Sequence, residues 1–118
     1  MIVKENVIKN KSFDFAIRIV KLYQYLCSDK REFVLSKQLL RSGTSIGAMI
    51  REAEHAESKQ DFIHKFAIAQ KEANEVVYWL ELLKATDYLN EKEFENINND
   101  AIAILKLITS IIKTTKAG

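Results

Sequence analysis

Proline does not occur in this 118-residue chain, and glycine occurs three times, at Gly43, Gly47 and Gly118. Average usage of about 5% would place roughly six prolines in a chain of this length. A sequence with so few breakers can run long helices, and it lacks the turn residues that a many-stranded sandwich or barrel needs. A single cysteine, Cys27, excludes an internal disulfide and suits a reducing compartment. No apolar run approaches the roughly 18 residues of a membrane span. The first ten residues carry Lys4, Glu5 and Lys9 and no apolar signal-peptide core. A cytoplasmic protein with no membrane partner is therefore expected. A basic block is missing too: 18 Lys and Arg face 16 Asp and Glu, and the net charge is +2. Any basic surface must be assembled by folding or by oligomerisation.

What is present is a globular balance, 47% hydrophobic and 29% charged, in a length that suits one domain over residues 1–118. The apolar residues recur at helical spacing. Ser12 reads as an N-cap followed by Asp14 near the positive helix end, so a first helix is expected over 12–27 with residues 1–11 as a basic arm. It carries two apolar stripes. One is Phe13, Ile17, Val20, Tyr23 and Cys27; the other is Phe15, Ile19, Leu22 and Leu26.

A second helix is expected over 32–57, with Leu39, Gly43, Ile46, Ile50 and Ala53 as its stripe. Glycine in a helix interior costs about 1 kcal/mol against alanine, so a kink or break is expected near Gly43. Gly43-x-x-x-Gly47 also lets a neighbouring helix come close. A third helix is expected over 59–86. It opens on Ser58-Lys59-Gln60-Asp61, a capping-box variant with Asp in the place of Glu. Phe62, Phe66, Ala69, Ala73, Val76, Leu80 and Leu83 then step by 4 and 3 without a miss, a heptad seam. A fourth, over 91–115, opens on Asn90-Glu91-Lys92-Glu93 and carries Phe94, Ile97, Ala101, Ile104, Ile108 and Ile111. Four helices with short connections specify an all-α, up-down antiparallel four-helix bundle.

The apolar surface exceeds what one bundle hides. Val77, Tyr78, Trp79 and Leu82 lie beside the third seam, and Ile102, Leu105, Leu107 and Ile112 beside the fourth. Such contiguous patches mark an interface. A homo-oligomer is expected, with Val77, Tyr78, Trp79 and Leu82 as candidate contacts.

Glu52-x-x-His55 matches the Glu-x-x-His spacing of di-iron bundles, and Asp61-x-x-His64 nearly copies it across the hairpin. His64, however, falls on the solvent side of the Phe62 seam, and the first helix offers only Asp14 as an inward carboxylate, so no metal and no cofactor are expected. Cys27, at a helix C-terminus where the dipole disfavours a thiolate, has no triad partner, and Ser42-Gly43-Thr44 lacks the Gly-Lys-Ser/Thr ending of a phosphate loop. No catalytic residue is assigned, and neither an enzyme nor a small-molecule substrate is expected. Glu52, Glu72 and Glu75 instead suggest an ion network with Arg41 and Arg51. The remaining chemistry is nucleic-acid binding, with Lys9, Lys11, Arg18, Lys21, Lys37, Arg41 and Arg51 as candidates. No base-reading module is visible, so RNA or DNA would be held through phosphates.

Residues 36–58, SKQLLRSGTSIGAMIREAEHAES, and 61–83, DFIHKFAIAQKEANEVVYWLELL, resemble the 23S rRNA intervening-sequence proteins. The matching positions are Gln38, Leu39, Arg41 and Ser42, then Ser45, Ile46, Ala48, Ile50 and Glu52, then Ser58, Asp61 and Phe62, then Glu72, Glu75, Tyr78, Trp79 and Leu80. Met49 departs from the pattern, where the family often has Asn. The resemblance implies a four-helix bundle assembling as a ring-like homopentamer. A similar fold serves as the accessory protein of diversity-generating retroelements, where a basic pentameric barrel binds nucleic acid. The expected function is thus a non-catalytic oligomeric scaffold that binds nucleic acid through phosphates. The alternatives are a protein–protein assembly module and a metal-binding bundle using Glu52, His55, Asp61 and His64.

Overall fold

A computed structural model describes residues 2–118, with side chains from Lys4 onward. It contains four helices and no strand among the described residues: α1 Ile2–Ser28, α2 Leu35–Ala53, α3 Lys59–Ala85 and α4 Glu91–Ala117. Three of them have 27 residues, about 40 Å at 1.5 Å per residue. The molecule is correspondingly a rod of 46 × 21 × 19 Å. Each helix packs on two others in the cyclic order α1, α2, α3, α4, and among the described residues the backbones of diagonal helices do not come close. Cross-helix pairs set the directions. Lys9 reaches Glu54 and Cys27 reaches Ser36, so α1 and α2 are antiparallel. Lys65–Glu52 with Arg41–Glu75, Gln70–Thr109 with Lys84–Glu91, and Lys4–Ser110 with Arg18–Asp100 fix the remaining neighbours in the same way.

The connections explain where the helices start and stop. The chain leaves α1 through Arg31, whose φ of 57° is left-handed, and the Glu32 N–H bonds back to the Leu26 carbonyl. Glu32 itself stays outside α2. Its buried carboxylate accepts the N–H groups of Val34, Leu35 and Ser36 at 3.1, 2.9 and 2.7 Å, supplying the acceptors that the start of a helix needs. This is why α2 begins at Leu35 and not at 32. It ends at Ala53 and not at 57 because the N–H groups of Glu54, His55 and Ala56 bond three residues back, which tightens the chain out of the helix. Ser58 is extended and its hydroxyl caps the Asp61 N–H, while the Asp61 carboxylate reaches the Glu57 N–H, one residue before the cap. Asn90 and Glu93 form a reciprocal capping box, with side chain to backbone bonds of 2.8 and 2.9 Å.

The expectations for the start of the first helix and for a break at Gly43 are corrected. Residues 2–11 are not an arm but the first three turns of α1. Ser12 is not an N-cap; it is a buried mid-helix residue whose hydroxyl bonds to the Lys9 carbonyl. Of the two stripes on α1, only one is the core: Phe15, Ile19 and Leu26 are buried together with Ile8, whereas Phe13, Ile17 and Val20 face outward. Nor does α2 break at Gly43. The hydroxyls of Ser42, Thr44 and Ser45 fold onto their own helix carbonyls, and Gly43 lies directly under Ile19 of α1. The close approach expected of Gly43 and Gly47 is present, with Ser12 against Gly47. The α3 and α4 seams are buried as expected from Phe66 to Leu83 and from Ile97 to Ile111.

The Glu32 cap makes one expectation concrete. Burial alone pushes its carboxyl up, but the N–H groups of Leu35, Ser36 and Val34 favour the carboxylate more strongly, and the net direction is below the ordinary 4.5. A lowered folded value means that the stabilisation is complete above the unfolded carboxyl range and is lost as pH falls through the folded value. Glu32→Gln is expected to cost about 1–3 kcal/mol at neutral pH, because a charged acceptor of several bonds becomes a neutral one. Urea unfolding at pH 7 and at successively lower pH checks this. The gap between parent and variant should close in acid.

Candidate functional site

The sequence-predicted residues fall on three parts of the surface. The first is the α2–α3 hairpin. Glu52, His55 and Asp61 border one open groove with Arg51, Glu57 and Lys65, while His64 is exposed outside it. Glu52 is held by Lys65 at 2.9 Å, and that hydrogen bond, with the Glu52 charge, pushes the Lys65 ammonium up. Asp61 is engaged by the Glu57 N–H. Among the described residues no three His, Cys, Asp or Glu side chains gather closely enough to hold a metal ion. The quartet is therefore split between an ion pair and a helix cap.

The second is the set of cations. Three of the seven candidates are paired: Lys9 with Glu54 at 3.0 Å, Arg18 with Asp100 and Asn96, and Arg41 with Glu75 at 2.7 Å and Glu72 at 3.4 Å. The Arg41 pairs form part of the ion network read from the sequence. Arg51 does not join it; its guanidinium lies 5.3 Å over the Phe13 ring. Lys11, Lys21, Lys37 and Arg51 are exposed and make no salt bridge among the described residues.

The third is the apolar surface. Val77 and Trp79 are half-buried and packed against the core, Leu82 is half-buried, and Tyr78 is 56% exposed with its ring edge-on to Trp79. Leu105, Leu107 and Ile112 are likewise partly absorbed by the core. The sequence reading missed a larger feature on α1. Asn6, Asn10, Phe13, Ile17, Val20 and Gln24 are all exposed, all uncharged, and spaced 4, 3, 4, 3, 4. That is the heptad register of a helix-packing seam, turned outward. The first stripe carries its signal, but a cap at Ser12 cuts the row short, and Tyr23, one residue off the register, stands in that stripe where Gln24 belongs.

The fold, the Arg41 network and the α3 seam can now be set beside known proteins. The sequence model of the 23S rRNA-intervening sequence protein family matches residues 4–110. The chain belongs to this family. A protein of unknown function from the S23 ribosomal protein family, from Bacteroides thetaiotaomicron VPI-5482, has a crystal structure at 1.70 Å resolution. It is 61% identical, with a TM-score of 0.92 over 93% of this chain and 98% of that chain. No curated protein matches the chain. Within the intervening-sequence pattern, Arg41, Glu72 and Glu75 are the ion network that ties α2 to α3. Met49, at the position that departs from the pattern, packs on the core. No described helix is long and apolar enough to cross a membrane.

Proposed function

We propose that this protein is a non-catalytic scaffold that assembles as a closed homo-oligomeric ring. The observation that carries the reading is the uncharged, exposed heptad row of α1, with Phe13 52% and Ile17 42% exposed. An exposed helical row with Phe13, Ile17 and Val20 at its centre and no charge along it marks a surface that another helix can cover. Tyr78 lies on α3, the helix diagonal to α1 in the cyclic order, so the two apolar patches occupy different sides of the rod. One self-complementary patch favours a two-fold dimer, whereas two distinct patches meeting head to tail generate a ring when the rotation closes. The resemblance supplies the expected number, five. Light scattering at micromolar concentration tests the assembly. The parent protein should run as a closed oligomer, and Ile17→Glu should reduce it to monomers with its helix content intact, since Ile17 lies outside the core. A monomeric parent protein overturns the reading.

A second observation favours nucleic acid as the ring's ligand. Lys11, Lys21 and Lys37 have no carboxylate partner among the described residues, and a ring repeats them, whereas Arg51 lies over Phe13 of the assembly row. Phosphate contacts of this kind tolerate sequence changes and weaken steeply with salt through counterion release. Filter binding near 50 mM salt should retain RNA or DNA, and charge reversal of Lys11, Lys21 and Lys37 together should abolish retention with the oligomer unchanged. Absence of retention by the parent protein leaves a protein-only assembly module.

A further inference from the structure

The connection between α1 and α2 carries an unusual combination. Phe33 is 52% exposed and Val34 71% exposed, side by side at one end of the rod. The Arg31 guanidinium stands 5.5 Å from the Phe33 ring centroid, and Lys30 stands 5.9 Å from that of Tyr25. Lys37 is exposed on the first turn of α2, three residues after Val34. Lys30, Arg31 and Lys37 form no salt bridge among the described residues. Two acids share the segment. Asp29 accepts a bond from the Ser28 hydroxyl, and the charge of buried Glu32 is spent on three backbone N–H groups.

The corner is also rigid. The three bonds to Glu32 and the return bond from Glu32 N–H to the Leu26 carbonyl hold the backbone on both sides of Phe33. Arg31 takes a left-handed φ of 57°, a conformation that glycine would adopt without cost. The position holds a guanidinium instead. An exposed aromatic ring with a guanidinium over it, and with lysines at Lys30 and Lys37 close by in the chain, offers the two features that single-stranded nucleic acids use. Bases stack on the ring, and phosphates meet the cations. In a duplex the bases are already stacked on one another, so the ring has no base face to take.

We propose that the Phe33 corner is a binding site for single-stranded nucleic acid, with an unpaired base on Phe33 and flanking phosphates on Lys30, Arg31 and Lys37. The proposal rests on the nucleic-acid reading given above and narrows it from phosphate contact in general to unpaired strands. The helix start itself takes no phosphate, because Glu32 already occupies its N–H groups. Fluorescence anisotropy with a labelled uridine 20-mer and with a duplex of the same length, near 50 mM salt, tests it. The single strand should bind more tightly. Phe33→Ala should weaken the single strand about 5- to 150-fold, the range of one lost base–aromatic stack, and leave the duplex unchanged. Phe33→Trp should restore the loss. Light scattering should give Phe33→Ala the parent mass, since a fall would make the corner a subunit contact and overturn the proposal. Equal binding of strand and duplex, unaffected by Phe33→Ala, overturns the stacking site while the phosphate reading stands. Binding of neither overturns both.

Discussion

Leu80→Ala is expected to lower the unfolding free energy by about 2–5 kcal/mol. Leu80 is fully buried, and its seam neighbours Val76 and Leu83 are fully buried with it. Each of these sits on a long helix held at both sides by neighbours, so the space left by three lost carbon atoms has little freedom to collapse. Loss of the transfer energy and retention of the cavity act in the same direction. Leu82→Ala is the internal control. It removes the same atoms from a half-buried position two residues away and should cost distinctly less, because water already reaches that side chain in the parent. The comparison requires one fixed protein concentration, since self-association makes apparent stability concentration-dependent. Equal losses for the two variants would mean that the seam is not the centre of the fold.

That α3 can be read so directly from the sequence has a local cause. Its start is marked by a Ser58 side chain acting on its own helix, and its seam steps by 4 and 3 from Phe62 to Leu83 without a miss. α1 lacks both marks. Its inner and outer rows are both apolar, so periodicity identifies a helix without saying which face is inside, and no proline or glycine lies before Ser12 to stop the helix. The choice is made by α2, whose glycines accept Ile19 and Ser12 and not Phe13 or Ile17. The start of α2 was illegible for a different reason. Glu32 caps from outside the helix, by a buried carboxylate that depends on the left-handed turn at Arg31 before it. The candidate surfaces divide in the same way. Residue type alone names the cations, but their partners lie on other helices. Only the fold separates paired Arg18 and Arg41 from exposed Lys21 and Lys37.

The packing of Ile19 on Gly43 leads to the second large effect. Ile19→Ala should cost about 2–5 kcal/mol as a core truncation. Gly43→Ala sets two forces against each other. Alanine is the better helix former by about 1 kcal/mol, but its Cβ would stand 2.8 Å from both Cγ1 and Cγ2 of Ile19 and 3.2 Å from its Cβ. Ile19 is fully buried and β-branched, with one strongly preferred rotamer in a helix, so it does not swing aside. α1 must move away from α2, and such overpacking costs about 1–3 kcal/mol, which outweighs the helical gain. At Gly47 the nearest atom is the Ser12 hydroxyl oxygen at 3.4 Å. There the helical gain should win, and Gly47→Ala should be neutral or slightly stabilising. The decisive measurement is the double variant Ile19→Ala, Gly43→Ala. Removing both Cγ atoms of Ile19 makes room for the new methyl group, which then fills part of the cavity. The combined loss should fall short of the sum of the two single losses by about 0.5–3 kcal/mol, as it does for residues in direct contact. Strict additivity in urea unfolding would refute the contact between Ile19 and Gly43 as the element that sets the face α1 buries.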